Sequence, residues 1–258
     1  MRRMFSVRDD GPVRWLTIDN PQRRNAIPFG GWARLAELIG EFTASEARVL
    51  VITGAGEDFC SGADMGSVME SGRPTSPYEA MTEVGSAAEA LHRTPKPTVA
   101  AVDGVAVGAG MNLALGCDVV LATDRVRFAE IFVKRGLTVD FGGTWLLPRL
   151  VGLARARELA LTGRMFGAEE ALSYGLVTDV VAPEALAGAA AAKAGELAAG
   201  APLAQRFIKE AFTRSFEMSF TEALAYEHRA QALLFGSEDA AEGVSSFIQK
   251  RPPEFKGR

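Results

Sequence analysis

The sequence predicts an α/β core followed by a helical C-terminal extension, and three observations carry that prediction. Short apolar runs of strand length alternate with stretches of helical periodicity as far as Val181. Everything after Pro183 has the spacing of helices, with no further strand-like run. The chain has 258 residues, 48% hydrophobic and 23% charged, enough for one large domain with a well-buried core.

The elements follow in order. Met4–Arg8 and Val13–Asp19 are β-prone runs joined by Asp9-Asp10-Gly11-Pro12, the pattern of a hairpin. From Pro28 to Phe42, residues Trp32, Leu35, Leu38, Ile39 and Phe42 fall on one helical face, with Pro28 as the helix-starting proline. Arg48–Thr53 is continuously apolar, as a strand covered on both faces should be. A glycine-bearing loop, Gly54–Met65, precedes a short helix expected at Met65–Glu70 and capped by Asp64. Ser71–Pro77 has the composition of a mobile linker. Tyr78–Arg93 is predicted helical, and Thr98–Val102 is a second buried strand. Residues 104–116 form a glycine-rich turn running into a helix, and strands follow at Cys117–Ala122 and Val126–Phe128. Helical patterns cover Gly143–Gly163 and Ala168–Tyr174, with a late strand at Leu176–Val181. The extension comprises an Ala-rich helix to Ala199, then Pro202–Ser215, Ser219–Phe235 and Glu238–Lys250. We expect a core domain at 1–195 and a capping region at 196–258. There is no repeat of fixed period.

Composition narrows the function. The 28 basic and 32 acidic residues leave a net charge of −4, so no basic face for nucleic acid is expected. Two cysteines, Cys60 and Cys117, suit a reducing cytoplasm better than a disulfide framework. Arg2 and Arg3 are followed by no apolar segment of a secretory leader, and no run is long and apolar enough to cross a membrane. With only His92 and His228, and no Cys/His cluster, no metal site is expected.

Two segments have the character of backbone-donor sites. In Asp58-Phe59-Cys60-Ser61-Gly62-Ala63-Asp64-Met65, small residues allow a ligand close to the main chain. In Gly104-Val105-Ala106-Val107-Gly108-Ala109-Gly110-Met111-Asn112, the chain leaves a strand through glycines and opens a helix, where free N–H groups gather. Neither spells G-x-G-x-x-G or G-x-x-x-x-G-K-[ST], and Ser61 is not framed as G-x-S-x-G. Dinucleotide, P-loop and serine-hydrolase readings therefore lack their fingerprints.

The ordered segments NPQRRNAI (20–27), FCSGADM (59–65), AAVDGVAVGAGMNLALGCDVVLAT (100–123) and GLTVDFGGTWLLPRLVG (136–152), with SFIQKR (246–251), resemble the crotonase, or enoyl-CoA hydratase/isomerase, superfamily over nearly the whole chain. The resemblance implies a ββα-spiral core, an acyl-CoA thioester substrate, and assembly as a homotrimer or dimer of trimers. It implies no cofactor beyond the coenzyme A carried by the substrate. It places an oxyanion hole on the backbone N–H groups of Ala63 and Ala109. It lines the coenzyme A site with Arg24, Ala26, Ser61, Gly62, Asp64, Met65, Gly110, Asn112 and Phe132. Lys250 matches a tail lysine that, in relatives, reaches a neighbouring subunit's CoA phosphate.

The chain departs from the hydratase pattern at its centre. Two glutamates are usual there, and Asn112 and Phe132 stand in their places. An amide is no base and a phenyl ring has no proton to exchange. What remains is Asp140, at a position where isomerases of the family carry an acid; flanking Leu137, Val139 and Phe141 should desolvate it and raise its pKa. Gly142 and Gly143 should let substrate approach. Asp140 is equally placed to cap a helix beginning near Gly143. Glu130 is a second candidate acid, with a solvated or ion-paired role as its alternative. Asp103 and Asp118 are expected to be structural, His92 a helix C-cap, His228 a surface or interface residue, and Phe141 and Trp145 walls of an acyl pocket, with core packing as their alternative. One carboxylate suffices for a double-bond shift, whereas hydration asks for more. The expected activity is therefore acyl-CoA isomerisation, with hydration or other enolate chemistry as one alternative and non-catalytic acyl-CoA binding as another.

Overall fold

The computed structural model describes residues 4–64, 66 and 76–258. Met65 and residues 67–75 lie outside the described residues, and with them most of the expected short helix and linker. The described residues form eight strands: β1 (Phe5–Asp10), β2 (Val13–Ile18), β3 (Val49–Gly54), β4 (Thr98–Val102), β5 (Val105–Val107), β6 (Val119–Thr123), β7 (Arg127–Ala129) and β8 (Asp179–Val181). The helices are α1 (Gly31–Ala44), α2 (Pro77–Arg93), α3 (Ala109–Leu115), α4 (Gly143–Val151), α5 (Leu153–Thr162), α6 (Ala168–Ser173), α7 (Leu186–Ala198), α8 (Pro202–Arg214), α9 (Phe220–Phe235) and α10 (Glu238–Gln249).

β1 and β2 form the expected antiparallel hairpin, from Phe5 opposite Ile18 to Asp10 opposite Val13. Parallel strands then extend the sheet in the order β1-β2-β3-β4-β6-β8, while β5 and β7 pair separately. Both faces of the large sheet are covered, which is why its central strands are apolar apart from a threonine near one end of each. Leu50 and Ile52 of β3 point into the main core with Trp32, Leu35 and Phe42 of α1 and Leu91 of α2. Val49 and Val51 point the other way, onto Ala190, Ala194 and Ala198 of α7. Alanine at every fourth position gives α7 a flat stripe that lies close on the sheet, and this explains the Ala-rich segment.

Four expectations are corrected. Pro28 does not start α1; its carbonyl accepts from Gly31 N at 2.9 Å, and the helix begins at Gly31 behind a left-handed Gly30. Residues 105–107 are a strand rather than part of a turn, held by β7 and too short to show periodicity. The helical stretch 143–163 breaks at Gly152, where φ is +77°. The late strand contracts to Asp179–Val181. No helix among the described residues is long and apolar enough to cross a membrane.

Candidate active site

Residues 59–64 are threaded between two other segments by main-chain bonds. On one side Phe59 N and Cys60 N both donate to Val105 O, at 3.1 and 2.9 Å, and Val107 N donates to Cys60 O at 3.1 Å. On the other, Ser61 N donates to Arg24 O, Ile27 N to Gly62 O and Asp64 N to Ile27 O, at 2.8–3.0 Å. Asn25 anchors this side. Buried and left-handed (φ +56°), it accepts from Asn20 N and donates to the carbonyls of Ala55 and Asp58. A short polar side chain tolerates that backbone and satisfies three main-chain groups at once.

The threading leaves two amides unspent. The Ile27–Ala63 bridge uses Gly62 O and Asp64 N, so Ala63 N–H points away from it. Ala109 is the first residue of α3, and first-turn amides have no partner inside a helix. Neither amide donates to a main-chain carbonyl among the described residues. The two strands of backbone touch: a Cβ on Gly62 would lie 3.5 Å from Ala109 N, and one on Gly110 would overlap the Cys60 carbonyl. Glycine at 62, with φ +87°, and at 110 is thus what lets the amides stand side by side.

Further along α3, Asn112 gathers two acidic residues, Glu130 and Asp140. Asn112, on α3, donates from Nδ2 to Asp140 O at 3.0 Å and, at a longer 3.4 Å, to Glu130 Oε2. Asn112 Oδ1, Glu130 Oε1 and Asp140 Oδ1 are all shielded from solvent and have no hydrogen-bond partner among the described residues. Burial raises the Asp140 pKa to about 6. Burial also raises Glu130 to about 8, with the Asp140 charge adding to it and the Asn112 hydrogen bond opposing it. Asp140 does not cap α4: the cap residue is Gly142, and no side chain serves it. Among the described residues Glu130 is neither solvated nor ion-paired, contrary to the alternative role expected for it. Of the apolar neighbours expected around Asp140, Phe141 is buried but Leu137 is 51% exposed, so the desolvation comes from the fold rather than from Leu137.

The aspartate is aimed by its neighbours. Phe141 (φ +50°) and Gly142 (φ +76°) are both left-handed, and the Phe141 ring drops into the core 5.5 Å from Trp32. Beside it lies an apolar cavity of about 290 Å³ lined by Leu91, His92, Gly116, Phe141, Trp145 and Leu146. The place of a Cβ on Gly143 is taken by the Asn112 amide, so this glycine makes room for a side chain and not for substrate. Sequence reasoning missed that contact, although the paired glycines after Asp140 were its signal.

A family model for enoyl-CoA hydratase/isomerase matches residues 9–258. The chain belongs to the enoyl-CoA hydratase/isomerase family. Among its relatives, a "probable enoyl-CoA hydratase" of Rhodobacter capsulatus is 39% identical, with 94% of each chain covered. The 1,2-epoxyphenylacetyl-CoA isomerase of Escherichia coli K12 is 38% identical, with 95% of each covered. The crystal structure of an enoyl-CoA hydratase from Bacillus anthracis superposes with a TM-score of 0.94 at 30% identity, over 99% of this chain and 100% of that one. The crotonase fold expected from the sequence is therefore present.

In this family member, three of the expected coenzyme A residues, Ser61, Gly62 and Asp64, lie on the threaded segment, and Arg24 and Ala26 lie on the strand of backbone beside it. Ala26 is buried, and the exposed Arg24 lies 3.9 Å from Asp58. Ser61 Oγ donates to Arg23 O at 3.1 Å. Asp64 accepts from Gly66 N at 3.0 Å, as a cap would. Phe132 is buried, its ring 3.5 Å from where a Gly108 Cβ would be, just ahead of Ala109. Met65 lies outside the described residues. Lys250 caps α10 in left-handed backbone, and α10 is tied to the chain's last residues through Asp239. Asp103 and Asp118 are structural as expected, bound to Thr123 and Arg125, and to Thr98 and Lys209. His228 is on the surface. His92 is not the cap; Thr94 N closes α2 on Ala90 O, and the His92 ring meets Trp145 edge-on at 5.1 Å.

Proposed function

We propose that this protein is an acyl-CoA isomerase that shifts a C=C bond through a thioester enolate. The observation carrying this reading is a half-buried carboxylate, Asp140, with one oxygen unpartnered among the described residues and its pKa raised to about 6. With the thioester oxygen on the Ala63 and Ala109 N–H groups, Asp140 would take the proton from the carbon next to the carbonyl. The electron pair of that C–H bond spreads into a dienolate, and Asp140 returns the same proton two carbons further on. Nothing is gained or lost, so coenzyme A within the substrate is the only coenzyme involved. The 38% identity to 1,2-epoxyphenylacetyl-CoA isomerase supports a rearrangement of an acyl-CoA without change of mass.

Hydration is the second reading, favoured by the hydratase names of other relatives and by the unpartnered Asn112 Oδ1 and Glu130 Oε1, which could orient water. Product mass separates the two. Incubated with 2-enoyl- and 3-enoyl-CoA substrates, the protein is expected to give products of unchanged mass and moved double bond. A gain of one water would establish hydration, and tight acyl-CoA binding without turnover across a broad panel would leave only a binding protein.

The C-terminal region, 196–258, is proposed to hold subunits together. It begins in the last turn of α7 and presents large apolar side chains to solvent, with Phe212 72%, Phe235 82% and Phe247 84% exposed. A soluble monomer rarely leaves so much apolar surface uncovered. Light scattering after size exclusion is expected to give three or six times the 27.5 kDa chain mass; a monomer would refute this.

A further inference from the structure

We propose that Glu130 is a positioning residue of this site, an uncharged acid that braces the Asn112 amide and, through it, the segment carrying Asp140. The inference rests on the reading of Asp140 as the proton carrier. Its ground is geometric. Glu130 is wholly buried, Asn112 Nδ2 lies 3.4 Å from one of its oxygens, and the other oxygen has no partner among the described residues. The same Nδ2 holds Asp140 O at 3.0 Å, so one amide links the two acids.

Among the described residues, no cation pairs with Glu130 to keep it ionised. α3 offers only Asn112, and the 137–142 segment offers Asp140, a like charge. Arg155, Arg157 and Glu158 on α5, Arg127 on β7, and Lys134 and Arg135 in the turn after Glu130 are all exposed. A buried carboxylate without a counter-charge is strongly disfavoured, so the group keeps its proton at neutral pH. The rise of its pKa to about 8 agrees. Once it ionises, a second negative charge sits beside Asp140 and the developing dienolate. Asn112 Nδ2 is then drawn toward the new carboxylate and away from Asp140 O.

The test is the pH profile of kcat/KM for whichever turnover the acyl-CoA panel reveals, measured on wild type, Glu130→Gln and Glu130→Ala. Wild type should lose activity by about tenfold per pH unit above about pH 8. Glutamine accepts from Asn112 as the acid does but cannot ionise, so Glu130→Gln should stay level to about pH 9.5. Alanine removes the brace, and Glu130→Ala should be slow at every pH. If Glu130→Gln keeps the alkaline limb, or if Ala serves as well as Gln, the inference is wrong.

A second measurement needs no turnover. In the unfolded chain Glu130 ionises near 4.5, and in the folded one near 8, so the folded state holds the extra proton between those values. Stability from this group is therefore lost as pH rises across that window. Thermal melts should show Glu130→Gln gaining on wild type from pH 5 to pH 8 and holding the gain above it. A difference in Tm that does not change with pH would overturn the proposal. Failure of the Asp140 reading looks different: an Asp140→Asn enzyme would remain active, whatever Glu130→Gln does.

Discussion

Asp140→Asn is expected to lower kcat about 10³-fold while acyl-CoA binding changes by less than about twofold. General acid–base groups of this kind contribute about 10²–10⁴ in rate. The amide preserves shape and removes the charge and the basic oxygen that would take the proton. Because the carboxylate form must accept the first proton, wild-type kcat/KM should rise with pH through about 6, the value to which burial lifts this group. The wild-type acid limb and the substrate affinity of the variant, by isothermal titration, check both halves. Turnover within a few-fold of wild type would remove Asp140 from the mechanism. A variant that no longer binds acyl-CoA would point to a role in binding instead.

Gly110→Ala should act on the other half of the site. Its methyl would overlap the Cys60 carbonyl, so α3 would have to back away from residues 59–64. That movement separates the Ala109 amide from the Ala63 amide. Loss of one well-placed donor of this kind costs about 10²–10³ in kcat. The overpacking itself should cost about 1–3 kcal/mol of stability. Gly85→Ala, a helical glycine with open space around it, is the control and should leave kcat in place while gaining up to about 1 kcal/mol of stability. Urea unfolding and initial rates on the same preparations test the pair; wild-type kcat in Gly110→Ala would show that these amides do not hold the reacting oxygen.

The elements that could be read from the sequence are those whose signal is local. The apolar run of β3 and the periodic face of α1 gave away their burial because each is long enough to show a pattern. β5 could not be read this way: three residues carry no period, and it exists because Cys60 and β7 come to it from elsewhere. The helix start at Gly31 was hidden for a related reason. Gly30 N donates to Glu83 on α2, a partner 53 residues away. At the site, the two glycine-rich segments announced main-chain donors, and the motif order supplied the pairing of Ala63 with Ala109. The resemblance picked out Asp140, but only the fold excludes its role as a helix cap. The burial of Glu130 was unreadable because it depends on α3 and on the turn at Gly163, which packs against the Glu130 carbonyl.

The groups proposed to receive the carbonyl oxygen belong to the peptide backbone, so no codon specifies them directly. Exchange of Ala63 or Ala109 for any residue but proline leaves an N–H in the chain. Selection can accordingly redraw the walls of the pocket, or discard its acids, without deleting this capability in a single step. Such a scaffold is free to change which reaction it runs while inheriting the costliest part of running any of them.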